Sequence, residues 1–364
     1  MGVPPRRVGC PCLHGLDSFS MAPVQHRQEL LAERLYELKG IGMSIDIVAL
    51  GEPMLEFNAS EEGTLFEVER FLVGWGGDTS NFSVAASRAG SRVGYITRLG
   101  EDEFGESFLR LWQREGVDTR FVERDPAAPT GIYFISRAEG RHHFTYYRKE
   151  SAASRMTPDF LPADYIRNAR LLHVSGISQG ISTGACDTVF AAIRLARNAG
   201  VLVSYDPNFR PKLWPLERAR AVIHESIRQA DLVFPSLEDA RALTELEDPE
   251  EIAKYYLDLG PKVVVLKLGG DGAMLATAGE GEPMYAPVTR RFPPQKVESV
   301  DMSGAGDTFD AYFVHGFLSG WSPEKCTQFA NAAAALTTTG LGCVTPVPKR
   351  ARVEALLGWK EEGL

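Results

Sequence analysis

From about residue 170 onward the chain repeats one pattern: an apolar run of strand length, a polar or glycine turn, then a stretch with helical spacing. The runs are LLHVSG, VLVSYD, DLVFPS and VVVLKL, and helices are expected over 183–199, about 217–229, 236–246 and 250–259. IDIVAL, from Ile45 to Leu50, opens the same pattern nearer the N-terminus. Apolar runs without alternation are strands buried on both faces, and strands separated by helices pair in parallel under two helical layers. The expected fold is therefore α/β, a three-layer α/β/α sandwich with a mostly parallel central sheet. Ligands of such sheets bind outside the carboxyl ends of the strands, where the polar motifs of this chain fall.

The densest of these motifs is DMSGAGDTFDAYFVHG, Asp301 to Gly316. Gly304, Ala305 and Gly306 make a turn small enough for close approach, and a helix pattern follows. The first helical turn has N–H groups without intrahelical partners and the positive end of the helix dipole, so it suits an anion. Asp307 stands in that same turn. Phosphoryl transfer to an alcohol needs this combination, a base for the hydroxyl beside donors for the transferred charge. A tight glycine turn with an acid at a helix start is the plainer reading of the same four residues. Earlier in the chain, Gly76 and Gly77 form a turn ahead of a helix carrying Phe82, Val84, Ala85 and Ala89, with Asp78, Thr79 or Ser80 as its cap. Asp78 and Asn81, three residues apart, can point the same way and offer a polyol both acceptors and donors, or the segment is an ordinary capped helix.

The longer strings add to this. Asp301-x-Ser-Gly-Ala-Gly-Asp-Thr-Phe-Asp310 resembles the C-terminal signature of the ribokinase-like, PfkB-type carbohydrate kinases. Gly76-Gly77-x-x-x-Asn81 resembles their N-terminal signature, whose residues hold the sugar, and TRLGEDEFG is similar to the family as well. The resemblance spans roughly residues 45–355. It implies the ribokinase-like fold with a small β lid (about 52–75 and 120–150), ATP with Mg²⁺ as cofactors, and a K⁺ site near Asp301. Asp307 would be the general base and Gly304, Ala305 and Gly306 the anion hole.

Residues 130–148 read as a hairpin around Ala138-Glu139-Gly140, which the resemblance makes part of the lid. Tyr133, Tyr146 and Arg148 could line its inner face, and a guanidinium binds a carboxylate bidentately; an exposed strand with surface aromatics is the other reading. In DPNFRPKLW, Asp206, Asn208 and Arg210 leave a strand end together, so Arg210 could reach a substrate carboxylate or a phosphate, with Asn208 on the nucleotide side. That string, together with YYRKESAAS, resembles the 2-keto-3-deoxygluconate kinase branch of the family. The branch implies an acid sugar held by Arg148 and Arg210. Lys267, Gly269, Gly270 and Gly272 offer either close approach for ATP, as the resemblance implies, or a hairpin turn. Asn331 resembles a position near the adenine, or serves helix packing. Many members carry Asn-x-x-Glu where this chain has Ser236-Leu237-Glu238-Asp239, so Asp239 would act on Mg²⁺ through water. A fructokinase or other neutral-sugar kinase is the rival of the same class, and a non-catalytic sugar sensor the rival of another. No G-x-x-x-x-G-K-[ST] motif of P-loop NTPases occurs.

The net charge of −9 over 364 residues argues against nucleic acid as a partner and requires local arginines for an anionic substrate. No apolar window approaches about 18 residues, so no membrane span is expected. Cys10, Cys12, Cys186, Cys326 and Cys343 are odd in number and mostly scattered, as in a reducing cytoplasm. Residues 1–42, with helical spacing at Leu30, Leu31, Leu35 and Leu38, read as a partly disordered extension ahead of a kinase domain over 43–364. The strand edges of the lid suggest a homodimer. Alternation over Thr64–Val73 predicts that part of it is a half-exposed strand, and His142, His143, His173 and His315 read as structural.

Overall fold

Successive residues of strand β1 (Ile47–Leu50) enter two different cores: Ile47 and Ala49 one, Val48 and Leu50 the other. A strand projects alternate side chains to opposite faces, so an unbroken apolar run means helices on both sides. The computed structural model describes residues 45–279 and 287–359. The expected extension over 1–42, with Cys10 and Cys12, lies outside them.

After β1 come β2 (Met54–Ala59), β3 (Phe71–Gly76), α1 (Asp78–Ala89), β4 (Val93–Gly100), α2 (Glu103–Arg114), β5 (Val122–Asp125), β6 (Gly131–Ala138) and β7 (Arg141–Tyr147). The βα repeat follows as α3 (Ala163–Arg167), β8 (Leu171–Ser175), α4 (Gly176–Gly180), α5 (Thr183–Asn198), β9 (Leu202–Asp206), α6 (Leu216–Arg228), β10 (Leu232–Val233), α7 (Leu237–Thr244), α8 (Pro249–Asp258) and β11 (Val263–Lys267). The chain continues through β12 (Ala273–Thr277), β13 (Val288–Phe292), α9 (Ala305–Leu318), α10 (Pro323–Thr337) and α11 (Arg350–Leu356).

Nine strands form the central sheet in the order β13-β12-β11-β10-β9-β8-β1-β4-β5. All neighbours pair in parallel except β11–β12 and β12–β13. The chain runs outward from β1 through β4 to β5, then returns to place β8 on the other side of β1. That reversal opens a crevice at the strands' carboxyl ends. Helices α1, α2, α9 and α10 cover one face, and α5, α6, α7 and α8 the other. Helix α9 is buried all round from Thr308 to Leu318 and packs against both α1 and α10. A helix apolar on every side is a core helix, and it aims its N-terminus into the crevice.

Strands β3-β2-β6-β7 form a second, smaller sheet. The β6–β7 hairpin turns through Glu139 and Gly140, as expected. Of the alternating stretch Thr64–Val73, the part from Phe71 onward pairs as β3, half-exposed as expected. The Glu67 carboxylate accepts from both the backbone N–H and the hydroxyl of Thr64, at 2.9 and 2.7 Å, closing a local turn that competes with the ladder.

Candidate active site

The turn before α9 is built by Gly304, at φ 74°, where a Cβ would lie 2.7 Å from the Cys343 carbonyl oxygen. Left-handed backbone without room for a side chain admits only glycine. Ala305 N–H donates to the Met302 carbonyl at 3.3 Å, so the first-turn donors turned toward the crevice are those of Gly306 and Asp307. The Asp301 carboxylate accepts from Ser303 N–H and Gly342 N–H, each at 2.9 Å, and pins the approach to this turn against the loop carrying Cys343.

Asn81 Nδ2 donates to Asp307 Oδ2 at 2.8 Å, whereas Asn81 Oδ1 is buried with no protein partner. A buried carbonyl left unsatisfied at a crevice is a place for a ligand hydroxyl. Burial pushes the Asp307 carboxyl up to about 7, with the negative charge of Asp78 adding to it and Asn81 opposing it. Helix α1 starts at Asp78, and its cap is Gly77 at φ 93°, without a side-chain bond, so none of Asp78, Thr79 or Ser80 is the cap. A Cβ on Gly77 would overlap the Glu52 carbonyl. Asp78 accepts from Thr79 N–H at 2.8 Å and from Asn208 Nδ2 at 3.1 Å. Burial raises its proton affinity as well, while Ser175 and Thr79 oppose the rise.

Asn208 is thus tied to Asp78, and its own N–H donates to Asp206 Oδ1 at 3.1 Å. Lys267 donates to Asp206 at 2.9 Å and to Asp310 at 3.1 and 3.2 Å. Burial works against its charge, and the two aspartates more than restore it, so the ammonium stays protonated. Asp310, the more deeply buried of the two, is pushed toward its protonated form by burial. The Nδ2 and backbone N–H of Asn208 and the Nζ of Lys267, both residues expected on the nucleotide side, are therefore engaged within the protein. The amide of Asn331 likewise donates to the Pro293 carbonyl at 3.1 Å, tying α10 to the end of β13. Gly269, Gly270 and Gly272 form the β11–β12 hairpin turn, with nothing near a Cβ on Gly269 or Gly270.

On the small sheet, Glu52 is fully buried and takes both Nε and Nη2 of Arg148, while Ser151 donates to its other oxygen at 2.5 Å. Tyr133, expected on the inner face, is itself buried, and its hydroxyl donates to Glu56 at 2.5 Å. Glu56 also accepts from Asn58 and from the Cys343 thiol. Gly76 makes room for that tyrosine, since a Cβ there would run into its ring and hydroxyl. Tyr146 is half-buried, with Arg148 and Lys212 at 5.8 and 5.9 Å from its ring. Burial raises its phenol's proton affinity, and Arg210 and Arg148 oppose the rise. Lys212 also donates to the Phe144 carbonyl at 3.2 Å, fastening the loop after β9 to β7. Arg210 is exposed, its Nη1 on the Phe209 carbonyl. Asp239, its N–H bonded to Ser236 Oγ at 3.1 Å, is pushed up to about 6 by burial, with Arg210 opposing.

Asp307, Gly304, Asp78, Asn81, Asn208 and Lys267 thus converge on one crevice, with Arg148 and Tyr146 at its rim. The sequence reading did not single out Glu52, Asp310, Ser175 or Lys212, and it gave Asp206 no role of its own. Asp310 lay within a motif already noted, but its partners, like that of Glu52, come from distant segments. His173 stacks on Phe82 at 3.6 Å and is pushed down to about 3 by burial, a core residue as expected.

Known proteins share the sequence and fold of this chain. The family profile described as pfkB family carbohydrate kinase matches residues 44–350. A 2-dehydro-3-deoxygluconokinase of Bacillus subtilis (strain 168) is 37% identical over 320 residues, covering 86% of this chain and 96% of the relative. Fructokinase-1 of Zea mays is 33% identical, over 85% of this chain and 97% of its own. The crystal structure of a fructokinase from Vibrio cholerae O395 with fructose, ADP and calcium ion superposes with a TM-score of 0.76 at 26% identity, covering 86% of this chain and 100% of that one.

Proposed function

Because this chain belongs to the pfkB family of carbohydrate kinases, and is thus an ATP-dependent sugar kinase, we propose that its substrate is 2-keto-3-deoxygluconate, phosphorylated on the primary hydroxyl to the 6-phosphate. The observation that carries the acid-sugar reading is the cationic rim around Tyr146, formed by Arg148, Lys212 and, from the loop after β9, Arg210. Glu52 occupies Nε and Nη2 of Arg148 and the Phe209 carbonyl takes Nη1 of Arg210, so the Nη1 edge of Arg148 and the remaining N–H groups of Arg210 are what the substrate carboxylate meets.

In the proposed step Asp307 takes the hydroxyl proton as that oxygen bonds to the γ-phosphorus of ATP, the bond to the β-phosphate oxygen breaks, and ADP leaves. The N–H groups of Gly306 and Asp307, in the turn that Gly304 and Ala305 build, hold the transferring oxygens. Asp78 and the unpaired Oδ1 of Asn81 orient the sugar hydroxyls, Gly77 lets the backbone approach, and Tyr133, through Glu56, shapes the wall behind Gly76. The hairpin glycines Gly269, Gly270 and Gly272 are assigned to close approach by the nucleotide. Asp239, whose proton affinity burial raises, is the acidic side chain that fits a site completed by a cation. Mg²⁺ arriving on the phosphates would neutralise their charge, with Asp239 reaching it through water. Asp301 is the candidate for K⁺, although its carboxylate already orders two loops. Closure of the small sheet as a lid would exclude water. Its exposed Leu72, Val73 and Tyr147 support a homodimer through that sheet.

The test is ADP release with Mg²⁺-ATP over 2-keto-3-deoxygluconate, 2-keto-3-deoxygalactonate, gluconate, fructose and ribose. Turnover confined to the keto-deoxy acids is expected. Arg210→Ala should raise KM for the acid sugar by about 10- to 100-fold, the worth of a charge-assisted contact, and leave any residual fructose turnover unchanged. A preference for fructose or ribose would replace this reading with the neutral-sugar one. Binding of a sugar without ADP release would favour the sensor.

A base held near neutrality has a kinetic signature. Below its pKa of about 7 the Asp307 carboxyl is protonated and cannot accept the hydroxyl proton. The sugar kcat/KM should therefore rise about tenfold per pH unit up to that point and level off above it. A flat profile from pH 5 to 8 would contradict the assignment.

A further inference from the structure

Beneath the anion-binding turn lies a set of charges with no part in the step above. Lys267 Nζ sits 3.5 Å from the position a Cβ on Gly306 would take, directly under the residue that precedes Asp307. Only 13% of its side chain is exposed, and the side chains of Asp206 and Asp310 are more buried still. The three come from the end of β9, the end of β11 and the second turn of α9, so the cluster joins two strand ends to the helix that carries the base. It also continues as a chain of bonds: Asp310 to Lys267, Lys267 to Asp206, Asp206 to the N–H of Asn208, and the Asn208 amide to Asp78. Asn208 adopts φ 34°, a left-handed conformation that a non-glycine residue keeps only where its surroundings over-determine it. The two bonds of Asn208 supply that constraint.

We propose that Lys267, paired with Asp206 and Asp310, is a positioning cluster that sets the electrostatic environment of the base Asp307 and does not bind the nucleotide. The inference rests on the reading of Asp307 as the base. The groups facing Asp307 are Asp78 and Asn81 from α1, Asp206 from the end of β9, Lys267 from β11, Cys343 from the loop beyond α10, and Asp310 one turn along its own helix. Asp78 and Asp206 make its carboxylate harder to form, whereas Lys267 makes it easier. In a water-poor crevice such terms act over several ångströms. An ammonium committed to two aspartates presents a fixed charge to Asp307 in every step of the cycle.

The test is the pH profile of kcat/KM for the sugar, measured on full-length chain. Lys267→Met should move the acid limb upward by about one pH unit, so that activity at pH 6.5 falls roughly tenfold and recovers toward pH 9. Asp206→Asn should move the limb downward, and Lys267→Met with Asp206→Asn should return it close to the parent position. KM for ATP should stay within about twofold throughout. Opposite signs that cancel are not what a loss of packing produces. An unmoved limb in both single variants overturns the proposal, and so does a KM for ATP raised more than about tenfold in Lys267→Met with its limb in place, which would make Lys267 a nucleotide ligand. If Lys267→Met fails to fold, Lys267→Arg should keep the parent limb and Asp206→Asn should still lower it; a limb unmoved in Asp206→Asn then overturns the proposal. Should Asp307→Asn retain the parent acid limb, the base assignment itself fails, an outcome separate from the others.

Discussion

Asp307→Asn should lower kcat by about 10³-fold, within the range for removing a general base, while KM for the sugar changes by less than about threefold. The amide keeps an acceptor for Asn81 Nδ2 and the volume of the side chain, so the crevice keeps its shape and loses only the proton acceptor. The same substitution should make the protein more resistant to heat. Burial raises the pKa of Asp307 from an ordinary carboxyl value to about 7, so charge at this position is disfavoured in the folded state relative to the unfolded one. The resulting penalty is absent below the unfolded pKa, grows as pH rises through the window between the two values, and is complete above about 7. A neutral amide removes it. The variant should therefore melt higher than the parent at pH 8 and no higher at pH 4. Activity within tenfold of the parent would rule Asp307 out as the base, and a lower melting temperature at pH 8 would show that it serves the fold.

Gly304→Ala is the second substitution with a large expected effect. The left-handed φ of 74° strains any residue with a Cβ, and that Cβ would stand 2.7 Å from the Cys343 carbonyl oxygen and 3.0 Å from its Cα. Neither contact is with a flexible side-chain end, so the turn has to shift. Its first-turn N–H groups would then lose their aim, and a displaced oxyanion donor costs about 10² to 10³ in kcat. Gly200 is the control. Its φ of 72° is nearly the same, nothing lies within 4 Å of a Cβ there, and it sits at the end of α5 away from the crevice. Gly200→Ala should lower stability by about 1 kcal/mol, the backbone cost alone, with kcat unchanged. Equal kcat in both variants would show that the turn at Gly304 does not aim the donors.

The fold was legible where one physical rule acts on contiguous residues. Runs such as IDIVAL and VVVLKL need helices on both faces, and the structure supplies them. The crevice residues of the two signatures were legible for a similar reason: Asp307 and Asn81 each follow glycine turns that fix where a helix begins. Polar groups whose roles depend on distant partners were not. Lys267 ends an apolar strand before a glycine turn, where the resemblance implies ATP. Its partners Asp206 and Asp310, 61 residues before it and 43 after, cannot be seen locally. Glu52 needed Arg148, 96 residues away. Tyr133 was correctly placed on the small sheet, but an alternating strand cannot reveal that Glu56 waits for its hydroxyl. Thr64–Val73 was legible in its last residues only, because the bond between Thr64 and Glu67 closes a local turn ahead of the ladder that starts at Phe71.

The bond between Asn81 and Asp307 closes a span of 226 residues. During synthesis, the part of the chain bearing Asp78 and Asn81 emerges long before its chemical counterpart, and no shorter intermediate length can carry out transfer. Until α9 arrives, the face of α1 that it will cover is open to solvent, beside carboxylates whose ammonium partner is not yet fixed on both sides. Contacts of such sequence separation form late and slow the search for the native state. A chain cut before residue 305 should therefore be more than inactive: it would expose the apolar surface that a chaperone or protease recognises. Completion of the active site and completion of the core become one event, so the cell meets this enzyme either whole or as a target for removal.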